Sequence, residues 1–285
     1  MTTKLATLYV IATPIGHLAD LSPRAQETLK SVQLILAEDT RHSKVLLQHF
    51  GIATRLESCH EHNEREKSIT LLAQLQAGHD CALISDAGTP VWSDPGAKLI
   101  TAVLEAGYPV SPIPGPCAAI AALSASGLEG MPFHFYGFLP AQTAAKRKLL
   151  EQLQKNLAGT LCFYESPHRL LDSLQLFQAL WGDTHILVLA KEISKIHEAI
   201  LKQPIGEILA WLKADPKRQQ GEFVLLLENT PPPQEGMISV ETDVLLTHLL
   251  AQMKLKEAVA LLANLSDLPK NKLYERALIL KGESP

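Results

Sequence analysis

At 285 residues, with 46% hydrophobic and 20% charged residues, the chain holds enough apolar material for more than one core and too little charge excess for a disordered tail. Its formal net charge of -4 confines any nucleic-acid contact to a local basic surface. Cys59, Cys81, Cys117 and Cys162 are scattered without a CxxC pair, which argues against a disulfide framework and predicts a reducing, cytoplasmic setting.

The run TLYVIA at 7–12 predicts a first strand; it is too short for a membrane span and lacks the charged start and long apolar region of a leader. Further strands are predicted at 33–37, 81–84 and 109–113, alternating with amphipathic helices over 22–31, 41–50, 64–77 and 95–106. Parallel neighbours need crossover connections, so this alternation predicts an α/β fold with a largely parallel, two-sided sheet. In the fourth helix Asp94 and Pro95 fit the N-cap and first position. Leu99, Ile100, Val103 and Leu104 supply its apolar stripe, and Gly107 its stop. The first α/β domain is assigned to 1–139, ending at GFLP.

A second α/β domain over 140–229 opens with a charged helix around Lys146, Arg147 and Lys148 and contains strand-like runs in 159–165, 185–194 and 221–228. Ser166 and Pro167 mark another helix start, with Leu170, Leu171, Leu174 and Phe177 as its buried stripe. The segment TPPPQEG at 230–236 reads as a semi-rigid spacer before a small helical module over 237–285. Within 254–281, Lys254, Lys256, Lys270, Lys272, Arg276 and Lys281 face only Glu257, Asp267 and Glu275. The surplus suits phosphate, although a solvated helix face is the plainer reading.

The most informative stretch is SDAGTPVWSDPG at 85–96, followed by PIPGP at 112–116. Each comes after a strand, breaks into a Gly/Pro loop and leads into a helix, so backbone amides at both strand ends can line a small-ligand pocket near the strands' C-terminal edge. Either loop alone is more simply an ordinary turn; the two together point to a site. No GxGxxG, GxxxxGK[ST] or GxSxG motif is present, which disfavours a conventional dinucleotide enzyme, a P-loop ATPase and an α/β-hydrolase. Cys59, His60, His62 and Glu64 match no standard zinc spacing, so no metal is expected.

Taken in order, LYVIATPIGHLADLSPRA at 8–25, AEDTRHS at 37–43, HEHNERE at 60–66, SDAGTP at 85–90, SDPG at 93–96, PIPGP at 112–116, ALSASGL at 122–128, GFLP at 137–140 and FYESPHRL at 163–170 resemble the 16S rRNA ribose methyltransferase branch of the tetrapyrrole methylase family. The likeness covers about residues 5–228. It departs from the usual pattern at His17, Val91, Trp92 and Cys117, where the family often has Asn, Gly, Ile and Ser.

The resemblance implies two α/β domains enclosing S-adenosylmethionine (SAM), with helices at the C-terminus extending an RNA-contact surface. By motif position it implies cofactor contacts from Pro14, Ser85, Asp86, Gly88, Thr89, Cys117, Ala118, Glu165 and Ile193. The implied reaction is 2′-O-methylation of a cytidine in 16S rRNA within the small ribosomal subunit, by a homodimer with no membrane partner. For the chemistry, Asp39 and Glu61 are candidate bases or orienters. Arg41, Lys191 and Lys195 are candidate phosphate or alkoxide contacts, with Glu38 and His60 as further polar neighbours. A salt bridge or helix cap remains the alternative for each. The rival readings are a precorrin C-methyltransferase of the same fold and a noncatalytic RNA-binding assembly factor.

Overall fold

The computed structural model describes residues 5–60, 63–91, 94–231, 240–266 and 268–281. They fall into two compact units, Met1–Thr230 and Pro231–Pro285.

The first unit carries two five-stranded sheets. In the first, β1 (Leu8–Ile11), β2 (Leu34–Ala37), β3 (Arg55–Ser58), β4 (Cys81–Ile84) and β5 (Val110–Ile113) lie in the order β3-β2-β4-β1-β5, all parallel. Strand residues alternate between two cores. Ile11, Ile35 and Ile84 pack with Ala25 and Leu29 of α1 (Pro23–Ser31) and Leu46 and Leu47 of α2 (Thr40–His49). On the other face Leu34, Leu36 and Leu83 meet Leu71 and Leu75 of α3 (Glu64–Gln76) and Leu99 and Val103 of α4 (Ala97–Glu105). Burial on both faces explains the nearly uninterrupted apolar character of LILA and CALI. Because β2 leads outward to β3 and its neighbour β4 leads the other way to β5, these adjacent strands send their connections apart, the arrangement that opens a crevice at the carboxyl edge.

Helix α4 starts later than its sequence suggests. Its N-cap is Gly96, at φ 127°, whose amide donates to the buried Glu64 carboxylate at 2.7 Å. Capping from α3 replaces capping by Asp94, and Asp94 and Pro95 stay outside the helix. Leu104 is 56% exposed and leaves the predicted stripe, while Gly107 provides the left-handed stop at φ 80°.

The second sheet has the order β6-β7-β10-β8-β9, from β6 (Phe133–Phe138), β7 (Gly159–Glu165), β8 (Ile186–Lys191), β9 (Ala199–Pro204) and β10 (Phe223–Asn229). Only the β6–β7 pairing is parallel. One face buries Leu161, Phe163, Leu189 and Leu225 against α6 (Thr143–Asn156), α7 (Pro167–Trp181) and α8 (Ile205–Ala214). Phe163 and Phe177 are fully enclosed there, and truncating either to Ala is expected to cost about 3–5 kcal/mol. The opposite face packs Cys162, Val188 and Val224 against Ala119 and Ala122 of α5 (Ala118–Ser126). Helix α5 thus follows a strand of one sheet and covers the other. The boundary drawn after 139 is displaced accordingly, because β6 already belongs to the second sheet and begins at Phe133.

The second unit contains α9 (Val240–Gln252), α10 (Leu255–Leu265) and α11 (Lys270–Lys281) around Leu246, Val259, Leu262 and Leu273. Arg276 grips Asp243 with both arms of its guanidinium, with Nε at 2.9 Å, so this cation of the predicted basic face is already paired. Among the described residues, no helix is long and apolar enough to cross a membrane.

Candidate active site

The loops at the carboxyl edge of the first sheet are stitched together by short hydrogen bonds. Thr13 and Gly88 exchange backbone bonds of 2.9 and 3.1 Å, which joins the β1 loop to the β4 loop. Ser85 Oγ donates to the Gly88 carbonyl, and its own carbonyl accepts from Thr13 Oγ1. Gly88 sits at φ 82°, so its backbone favours glycine, while a Cβ there would meet Ile15 and the Pro116 carbonyl only at ordinary contact distances of 3.4 and 3.6 Å. Thr89 Oγ1 donates to the Pro116 carbonyl at 3.0 Å and Asp86 accepts the Asp39 amide at 3.0 Å, which bring in the loops after β5 and β2.

These loops face the ends of β6, β7, β8 and β10, and between them lies a cavity of about 420 Å³. Glu38, Asp86, Gly88, Thr89 and Asp94 form one wall. Phe138, Tyr164, Ile193, Phe223 and Val224 form the other, mostly apolar, wall. The N-termini of α5, at Cys117 and Ala118, and of α7, at Ser166 and Pro167, also open onto it. The size is that of a small-molecule site, which commonly occupies about 300–1,000 Å³.

Three carboxylates set its electrostatics. Asp94 is pushed up to about 6, first by burial and then by repulsion from Glu38 and Asp86. Glu38 is raised by burial, then by Asp86 and Asp39, with His60 opposing. A bound cation relieves this repulsion, while the two helix N-termini favour negative charge. Burial also pushes the Tyr164 phenol well above its ordinary range; its oxygen accepts the Ala119 amide at 3.3 Å.

The structure brings Asp86, Gly88, Thr89, Cys117, Ala118, Glu165 and Ile193 together on the cavity wall. Pro14 and Ser85 lie buried behind it, supporting the loops, with Ile15 reaching the cavity in place of Pro14. Glu165 touches the wall, but its carboxylate turns inward to Ser173 at 2.5 Å, Arg169 at 3.0 Å and Lys146 at 3.5 Å. Its role is to anchor the β7–α7 corner.

The predicted catalytic groups are mostly committed elsewhere. Asp39 caps α2 through the Arg41 amide and pairs with the Arg41 side chain; hydrogen bonds from Arg41 hold it down at about 2, an unfavourable value for a base. Lys191 is buried and donates to the carbonyls of Lys217 and Arg218 at 2.9 and 3.1 Å, so its ammonium is already engaged by the protein. Lys195 bridges Glu192 and Glu222, both at 3.0 Å. Glu61 and His62 lie outside the described residues. Cys59 is enclosed in the first sheet's core, where burial raises its thiol to about 11, and Glu64 is occupied in capping α4. Among the described residues, no group of three or more His, Cys, Asp or Glu side chains has metal-binding geometry.

Two open sheets meeting at a cavity lined by strand-end loops define a class. Residues 7–209 match the Tetrapyrrole (Corrin/Porphyrin) Methylases, and the chain belongs to that family. Within it, the chain is 49% identical to the "Ribosomal RNA small subunit methyltransferase I" of Escherichia coli O157:H7 over 277 residues, 96% of each chain. It is also 49% identical to the protein of that name from Pseudomonas aeruginosa, with 98% and 99% covered. Residues 237–281 match a family described as the RsmI C-terminal HTH domain. Among solved structures, diphthine synthase is similar with a TM-score of 0.58 at 12% identity, covering 79% of this chain and 90% of that one. The uroporphyrin-III-C-methyltransferase of Thermus thermophilus gives 0.55 at 18%, covering 78% and 94%; both likenesses speak to the fold.

Proposed function

We propose that this protein transfers the methyl group of SAM to the 2′-hydroxyl of a cytidine in 16S rRNA, within the small ribosomal subunit. The observation that carries the reading is a cavity with three cation-seeking carboxylates in a chain nearly half identical, end to end, to small-subunit rRNA methyltransferases.

The cavity suits SAM chemically. Asp86 and Asp94 offer carboxylates to a ligand bearing ammonium and sulfonium charges, and the amide-rich starts of α5 and α7 suit its carboxylate. Ile15, Ile193, Phe223 and Val224 offer apolar surface for its adenosine. SAM supplies an electrophilic methyl carbon on sulfur. The chain's task is to hold the ribose oxygen in line with that carbon, to exclude water, and to take up the hydroxyl proton.

Glu38 is the carboxylate best placed for the proton. It lines the cavity, accepts no hydrogen bond among the described residues, and holds a proton more readily than an ordinary glutamate. Asp39 lacks this property, and Glu165 is saturated by its partners. Arg41, with its side chain 90% exposed, is the candidate contact for an RNA phosphate. A pairing of two such chains and a cytoplasmic location accompany this reading.

The deciding experiment is mass mapping of small-subunit RNA, undermethylated at the start, before and after incubation with the protein and SAM. One added methyl on a cytidine ribose is expected. A methyl on a base, or SAM bound with no transfer, refutes the assignment.

A further inference from the structure

Strand β6 contains an irregularity with a directed outcome. Phe135 pairs with Cys162 and Phe138 with Tyr164, so three steps along β6 match two along β7. The extra residue is accommodated at Gly137, which takes φ 63°. Side chains alternate along a strand, and Tyr136 stacks on Phe163 in the core under α6, α7 and α8. Regular alternation would send Phe138 to that same side. The bulge instead returns it to the cavity face, where its ring meets Tyr164 edge-on at 5.6 Å.

The residue delivered there is 56% exposed, an aromatic ring at the cavity's rim with much of its surface uncovered. Its backbone is held firmly. The next residue, Leu139, is buried, and its carbonyl accepts from Arg169 Nη1 at 3.2 Å. A rigid, exposed ring beside a reaction cavity is the feature used to receive a nucleobase taken out of its stack, since every base has a π face and loses a stacking partner on extrusion.

We propose that Phe138 is the stacking platform for the base of the nucleotide being methylated. The inference rests on the rRNA reading above and adds to it the wall that positions the target. The geometry of transfer supports this occupant. A sugar whose 2′-oxygen reaches the methyl donor has its base one glycosidic bond away, so an aromatic face on the rim of the same cavity lies within that base's reach. The adenine of the cofactor has the same flat chemistry, and the test separates the two.

Phe138→Leu keeps apolar bulk and removes the π face at an exposed position. Single-turnover transfer to undermethylated small subunits is to be measured across subunit concentration, with SAM affinity by calorimetry and the thermal midpoint alongside. The platform predicts that Phe138→Leu raises the half-saturating subunit concentration on the order of 10-fold, leaves SAM affinity within twofold and the midpoint unchanged, and is rescued by Phe138→Trp or Phe138→Tyr. Loss of SAM affinity matching the loss of transfer overturns it and makes Phe138 a cofactor wall. Unchanged transfer by the leucine variant, with an active wild type, overturns the platform alone. A wild-type chain that methylates no subunit removes the rRNA reading and the platform with it.

Discussion

The two sheets serve one cavity by different means. The first is wholly parallel, so four of its strands deliver loops to the same edge, and these loops bring Glu38, Asp86 and Asp94 together with few partners of their own. The second is mostly antiparallel and supplies aromatic and aliphatic wall, and its two carboxylates at the site are already paired: Glu165 is enclosed by Lys146, Arg169 and Ser173, and Glu222 pairs with Lys195. Acids on one side remain open to a ligand; those on the other hold the scaffold together.

The sharpest way to break this contrast is Lys146→Met. Removing one cation from a buried, hydrogen-bonded carboxylate is expected to cost about 3 kcal/mol in urea unfolding. A loss below about 1 kcal/mol would show that Glu165 does not depend on that partner and resembles the open acids after all.

On the other wall the expected loss is in binding. Asp86→Asn keeps an oxygen to accept the Asp39 amide and deletes the charge, so SAM affinity should fall on the order of 10- to 100-fold in calorimetry while stability is nearly preserved. A large fall in stability would reassign Asp86 to the scaffold.

Asp94 adds a pH dependence. Its folded-state value of about 6 lies above its ordinary 3.8, so the folded protein holds this proton more tightly than the unfolded chain. The associated stability is complete below about pH 4 and is lost as pH rises through 6, leaving a cost on the order of 1 kcal/mol at neutral pH after solvent screening. Asp94→Asn should therefore stabilise the ligand-free protein at pH 7 and not at pH 3.5. Cation binding has the opposite sign: it needs the ionised acid, so wild-type SAM affinity should weaken about 10-fold between pH 7 and pH 5, and the asparagine variant should flatten that slope. Equal slopes would remove Asp94 from the binding wall.

The same contrast governs what could be read in advance. Strands buried on both faces, such as CALI before SDAGTP, announce themselves by continuous apolar runs followed by Gly/Pro loops, and the loops they feed do line the cavity. The edge strand β5 is legible before PIPGP, but two other edge strands do not stand out. β3 reads RLES and β9 AILKQP, short and half polar, because each has only one neighbour to satisfy. β6 was hidden by its bulge, which interrupts the alternation at Gly137 and carries Phe138 to the site. Phe223 enters from the start of an antiparallel strand, where no loop motif marks it. Asp94 reads locally as a helix cap, and no local pattern reveals that Glu64, 32 positions before Gly96, takes that role. Local spacing identifies loops well; which carboxylate is already partnered is a tertiary fact.

The smallest effect concerns Arg41, and it tests whether an exposed ion pair near the open wall has a use beyond capping. Such pairs contribute little to stability, so an RNA phosphate can recruit the guanidinium at small cost. Arg41→Ala should lower subunit affinity about two- to fivefold at low salt and reduce the slope of log affinity against log salt by about 1, with SAM binding unchanged. Asp39→Asn provides the opposing arm. Asparagine caps a helix as well as aspartate does, and its exchange frees Arg41 from its pairing, so subunit affinity should hold or rise and single-turnover transfer should persist. Loss of transfer in Asp39→Asn with SAM and subunit binding intact would restore Asp39 as the base, despite a carboxyl held at about 2, and displace Glu38 from that role.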